Sequence, residues 1–201
     1  MALIGAMISL MEASLLVLAG GGSRRMGRPK AWLEVGDTFL LCYVVDRLAP
    51  AFSEVMVSFA EPEQLVEPLP YRIVFDRKPS AGPLAGLEAG LLTARSEVIF
   101  AVACDMPYVT QDVAQMAIAA ARRSDAAIPR VDGRPEPVCG AYGRSALPAI
   151  SEALDAGRLK MSDAISRLDV TWLEGLDPAL FRSLNTPEDL ERFHAEFASQ
   201  R

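Results

Sequence analysis

The chain has 201 residues, 51% hydrophobic and 23% charged, proportions that suit one globular domain spanning residues 1–201 with a well-filled core. Its net charge of -6 excludes a general nucleic-acid binder, which needs an overall basic face. Cys42, Cys104 and Cys139 lack the paired spacing of zinc or redox sites, which fits a reducing cytoplasm.

The opening "MALIGAMISL" is apolar, but even counted up to Glu12 it is too short to span a bilayer. It also lacks a basic N-terminal region and a small-residue cleavage pattern, so neither a targeting segment nor a membrane anchor is expected. Residues 1–10 are expected to be a dispensable extension. "SLLVLAG" (14–20) predicts a first strand, followed by a glycine- and arginine-rich loop to Lys30. Beyond it the pattern predicts a helix over 38–52, strands over 54–60 and 71–75, and a helix over 83–94. A strand over 97–105, a helix over 111–123, a strand over 125–129 and a helix over 144–157 come next. "PRVDGRPEPV" (129–138) reads as a loop and hairpin, and "PEDLERFHAEFASQ" (187–200) as a C-terminal helix.

Apolar residues in the helical stretches return every three or four positions, whereas the strands are almost continuously apolar. Strands that alternate with helices imply parallel crossovers, and continuous apolar character implies a sheet covered on both faces. The expected fold is therefore a three-layer α/β sandwich around a mostly parallel sheet. In such folds ligands bind beyond the carboxyl ends of the strands, which is where Gly20 to Lys30, Ser58, Asp76 and Asp105 fall.

"LVLAGGGSRRMGRPK" (16–30) brings three glycines and four cations to one strand end. Gly20, Gly21 and Gly22 let backbone N–H groups face a ligand unobstructed. Arg24, Arg25, Arg28 and Lys30 add charged donors suited to phosphate. The loop is not a Walker A motif, because Arg28 and Pro29 stand where Lys and Ser or Thr are required. Nor is it the dinucleotide fingerprint, because Arg25 stands at the third glycine position. A triphosphate site and a surface loop of solvated cations both fit these residue types.

The string "LAGGGSRRMGRPK" resembles the loop signature of nucleotidyltransferases, and most closely that of the molybdenum cofactor guanylyltransferases. "GPLAGLEAGL" (82–91), "ACDMPYV" (103–109), "PEPVCGAYGRSALP" (135–148) and "NTPEDLERF" (185–193) resemble that family's later motifs in the same order. The resemblance implies a Rossmann-like nucleotidyltransferase fold and transfer of GMP from GTP to the terminal phosphate of molybdopterin, with release of pyrophosphate. It implies that Leu18, Ala19, Gly20, Gly21 and Gly22 open the nucleotide loop, with Arg25 and Gly27 in its "RMG" element. It further implies Lys30 on the phosphates, Ser58, Asp76, Gly82 and Asn185 at the nucleotide, and Asp105 on Mg2+. Arg25, Lys30 and Asp105 would then be the catalytic residues. Transient contact with proteins that deliver the pterin or receive the product is a further implication.

Three positions depart from the family pattern. Pro29 replaces an acidic residue, Ser58 stands where Asn is usual, and Ser183 replaces the first Asn of "N-x-N-T-P". Residue chemistry alone leaves other roles open. Asp105 before Met106 and Pro107 also reads as a turn, Asn185 or Thr186 as a helix cap, and Asp76 as a surface partner of Arg77 and Lys78. Arg130, Arg134 and Glu136 are either pterin contacts or solvated charges, and His194 is expected to be structural or exposed. A CTP-dependent or sugar-phosphate nucleotidyltransferase is the nearest alternative activity, and a non-catalytic nucleotide-binding protein the alternative of another class. A chain beginning at Met11 is expected to equal the full chain in pyrophosphate release and thermal midpoint; loss of either would place residues 1–10 in the core or in an obligatory interface.

Overall fold

The computed structural model describes residues 11–20 and 29–198. Residues 1–10 and the loop positions Gly21, Gly22, Arg24, Arg25, Gly27 and Arg28 lie outside the described residues, and so do the expectations attached to them.

The order of elements is β1 (Met11–Leu18), β2 (Glu34–Val35), β3 (Thr38–Phe39), α1 (Leu40–Leu48), β4 (Phe52–Phe59), β5 (Arg72–Phe75), α2 (Pro83–Thr93), β6 (Val98–Ala103), α3 (Gln111–Ala121), β7 (Ala126–Val131), β8 (Arg134–Pro135), β9 (Cys139–Gly143), α4 (Leu147–Asp155), α5 (Met161–Ile165), β10 (Val170–Leu173) and α6 (Pro187–Ala198). The main sheet runs β10-β7-β9-β6-β1-β4-β5, with β8 paired to β7. All its long pairings are parallel except those of β9, which runs antiparallel to both β6 and β7.

β1 lies inside the sheet between β6 and β4, and its residues alternate between two cores. Ala13, Leu15 and Val17 face α1, α3 and α6, while Leu16 and Leu18 face α2, α4 and α5. All of them are buried, which is why this strand reads as an unbroken apolar run. The expected three layers are therefore present.

One expectation needs correction, and strands β9 and β10 add to those expected. The helix expected over 38–52 stops at Leu48, followed by a 3-10 turn over Ala49–Ala51 that delivers Phe52 directly into β4. Pro50 in that turn cannot donate the hydrogen bond a continuing helix requires. "CGAYG" (139–143) forms β9 despite two glycines, because a Cβ at Gly140 would come within 2.9 Å of the Ala127 carbonyl oxygen. Close strand approach, not β propensity, selects the residue there. β10 was also unforeseen, being four residues long and half exposed at the sheet edge.

β1 feeds α1 and β4 on one side, whereas α3 leaves β6 towards the other side, so the strand order reverses between β1 and β6. Leu18 and Ala103 lie opposite each other at the carboxyl end of that pair. The crevice beyond them is where an open α/β sheet admits ligands.

α2 presses closely on β1. A Cβ at Gly90 would collide with the buried side chain of Leu16, so Gly90→Val overpacks a site with no room to yield. We expect a loss of about 1–3 kcal/mol, read as a thermal midpoint several degrees lower; an unchanged midpoint would mean that α2 can withdraw from the sheet without cost.

Candidate active site

The chain leaves β1 with the Ala19 N–H still bonded to the Ser58 carbonyl, which extends the ladder one residue past the strand. Leu18 and Ala19 are buried, and Gly20 passes so close to the next strand that a Cβ would fall 2.7 Å from the Ala60 nitrogen. Only a residue without a side chain allows this approach.

Lys30 is held in place by its C-terminal neighbours. Ala31 and Trp32 are buried, the Trp32 indole N–H donates to the Gln64 carbonyl at 2.7 Å, and its ring stacks on Phe59. Pro29 caps the 3-10 turn Lys30–Trp32 and its carbonyl accepts from the Trp32 N–H, so the residue that departs from the family pattern has a local structural role. With its backbone held, Lys30 donates from Nζ to Asp105 Oδ2 at 2.6 Å and to Asn185 Oδ1 at 2.6 Å. Residues 75 and 155 positions away in sequence thus meet at one ammonium group.

Asp105 stands two residues past β6. A turn is present, because the Met106 N–H bonds the Ala103 carbonyl, yet the carboxylate itself faces Lys30 and does not cap that turn. The Leu184 N–H donates to the Asp105 carbonyl at 2.9 Å, which holds Asn185 beside the same site. Thr186 and Asp189 form the reciprocal cap of α6: the Asp189 N–H donates to Thr186 Oγ1, and the Thr186 N–H donates to Asp189 Oδ2. With Thr186 as the cap, the Asn185 side chain is left to reach Lys30.

A second polar cluster lies on the α2 side of the sheet. Ser58, 2% exposed, donates from Oγ to Asp76 Oδ1 at 3.0 Å. Gly86 makes room for that hydroxyl, since a Cβ there would come within 2.6 Å of it. Arg77 and Lys78 pair instead with Glu88 and Asp155, so neither is the partner of Asp76. Burial pushes the Asp76 carboxyl up to about 6, partly opposed by the Ser58 hydrogen bond. Ser58 therefore acts on Asp76, a role the shorter hydroxyl fills at a position where the family usually has an amide. Gly82, at the start of α2, has φ +72°, a left-handed conformation that favours glycine.

The remaining charged residues lie elsewhere. Arg130 stacks 4.1 Å over the Trp172 ring and pairs with Glu174, Arg134 lies in the exposed β8, and Glu136 is half-buried where β9 begins, its pKa raised by burial. The exposed His194 contacts the Glu34 carbonyl. Gly86, Leu184 and Asp189 are contributors that residue chemistry did not reveal; the only sequence signal is the four-residue spacing of Gly82, Gly86 and Gly90 along α2.

The description "MobA-like NTP transferase domain" matches residues 15–170. The chain belongs to the MobA-like NTP transferase family. A probable molybdenum cofactor guanylyltransferase of Methanosarcina mazei is 36% identical to this transferase, over 89% of this chain and 88% of the relative. The molybdopterin-guanine dinucleotide biosynthesis protein A of Archaeoglobus fulgidus superimposes with a TM-score of 0.81 at 26% identity, covering 94% of this chain and all of that one. The 2-C-methyl-D-erythritol 4-phosphate cytidylyltransferase of Thermus thermophilus shares the transferase fold, with a TM-score of 0.72 at 24% identity over 94% of this chain and 100% of that chain.

The raised pKa of Asp76 makes a stability prediction. The native carboxyl keeps its proton up to about pH 6, whereas the unfolded chain releases it near 3.8. The folded state is therefore favoured by this group at low pH, and that contribution is lost as pH rises from about 4 to about 6. Asn at this position does not titrate. The stability of wild type relative to Asp76→Asn, from urea unfolding, should fall between about pH 4 and about pH 6 and stay level above; a difference constant with pH would mean that the carboxyl is well hydrated.

Proposed function

We propose that this chain transfers GMP from GTP to the terminal phosphate of molybdopterin and releases pyrophosphate, as a cytoplasmic guanylyltransferase dependent on Mg2+. The observation that carries this reading is the convergence of Lys30, Asp105 and Asn185 beyond the β1/β6 crevice, with Ser58 and Asp76 on the far side of β1. Phosphate chemistry has a cationic anchor on one side, and the base has a half-buried carboxylate on the other.

The donor set suits magnesium. Asp105 Oδ2 and Asn185 Oδ1 are hard oxygens that already converge on one cation, the Lys30 ammonium. Magnesium commonly takes one or two protein oxygens and completes its shell with phosphate and water. No group of three metal-ligating side chains occurs among the described residues, so phosphate and water would supply the rest. An ion held by Asp105 and Asn185 would supply charge neutralisation at the triphosphate.

The chain's own residues do the rest. The attacking group is a phosphate monoester, anionic at neutral pH, so it needs no protein base. The obstacle is repulsion between two anions, and Lys30 lowers it by placing positive charge at the phosphates. Gly20 lets the chain pass close to the neighbouring strand, and Gly21, Gly22 and Arg25 follow it in sequence with the phosphate role that the motif implies. In the free protein Asp105 and Asn185 hold the lysine at the crevice, ready for the phosphates, and positioning supplies much of the rate. Asp76 fits guanine, whose N1–H and 2-amino group are adjacent donors for the two oxygens of one carboxylate. Cytosine offers only its 4-amino group on that edge.

Pyrophosphate release with each nucleoside triphosphate, with and without molybdopterin, tests the reading. GTP with molybdopterin should be the most active pair, and faster release with CTP would favour a cytidylyltransferase. Absence of release with every acceptor would favour a non-catalytic nucleotide-binding protein. Asp105→Ala and Lys30→Ala should each lower turnover by about 10²-fold or more with the thermal midpoint preserved; near-wild-type turnover would remove the residue from the catalytic set.

A further inference from the structure

We propose that the Lys30 ammonium competes with the divalent cation at Asp105 and Asn185, so that the site binds the cation weakly until a triphosphate draws the lysine away. The inference rests on the metal reading above and adds an order of assembly to it.

The geometry is direct. Nζ lies 2.6 Å from both Asp105 Oδ2 and Asn185 Oδ1, and the Lys30 and Asp105 side chains are only 20% and 17% exposed. A magnesium ion bound to Oδ2 at about 2.1 Å would lie within about 5 Å of Nζ, where like charges in a partly desolvated cleft repel strongly. Both cations draw on the same oxygens, so one must yield. The lysine is tethered through the buried Ala31 and Trp32 and is always present at high effective concentration, whereas the ion comes from solution.

A triphosphate reverses the balance. It offers the ammonium an alternative set of anionic oxygens at the loop end of the crevice and offers the ion its remaining ligands. Metal and nucleotide binding then favour each other, and by linkage the factor is the same in both directions. The lysine thus serves as a resident counter-ion that keeps the Asp105 carboxylate neutralised until substrate arrives.

The test uses MnCl2 alone, with free Mn2+ followed by electron paramagnetic resonance at fixed ionic strength and no nucleotide present. Lys30→Met keeps the length of the side chain without its charge and should bind Mn2+ about tenfold more tightly than wild type, within the usual range of such couplings. Adding Asp105→Asn to either protein should abolish that binding. Thermal midpoints check that the variants are folded, and Lys30→Gln provides a second uncharged side chain if Lys30→Met is not. Equal Mn2+ affinity in wild type and the uncharged variant, with binding still dependent on Asp105, would overturn the competition and leave the metal reading standing. Mn2+ binding unaffected by Asp105→Asn would overturn both.

Discussion

The structure depends on β1 being buried on both faces. A strand with solvent on one side could have alternated, but here Leu15 and Val17 pack one core while Leu16 and Leu18 pack the other. That constraint holds the strand inside the sheet and fixes its register against β4 and β6. The carboxyl ends of all three strands then lie side by side. Ser58, Asp105 and the loop after Leu18 are neighbours because the hydrophobic layers leave no other register, not because they attract one another.

The two polar clusters at that end are held differently. Asp76 is stabilised through a neutral donor, Ser58, and keeps the elevated pKa of a carboxyl taken partly out of water. Asp105 faces a full positive charge at 2.6 Å. One crevice therefore contains a carboxylate arranged to accept hydrogen bonds and another arranged to sit among cations, with β1 between them. A nucleotide laid across it would meet each with its matching end.

Much of this arrangement was legible in the residues, for identifiable reasons. Buried parallel strands leave unbroken apolar runs, so β1, β4, β6 and most of β7 stood out; β9 did not, because Gly140 serves interstrand contact at Ala127. Lys30 and Asp105 could be picked out because each belongs to a motif that follows an apolar strand. The partnership of Asn185 with Lys30 could not, since the same six residues "NTPEDL" also encode a helix start, and only the folded chain shows that Thr186 takes the cap. Gly86 was likewise hidden, because the need for its missing side chain arises from Ser58, 28 positions earlier in the sequence.

The Lys30–Asp105–Asn185 contact also orders the life of the molecule before it is finished. Chains are made from the N-terminus, and folding can begin while synthesis continues. Lys30 precedes Asp105 along the chain, and Asn185 follows 80 residues after Asp105. The family match, residues 15–170, ends before it. A nascent chain can therefore assemble most of the sheet while its lysine still lacks one of its two oxygen partners. The site cannot close until Asn185 has been made, so the finished arrangement around Lys30 trails the first folded core.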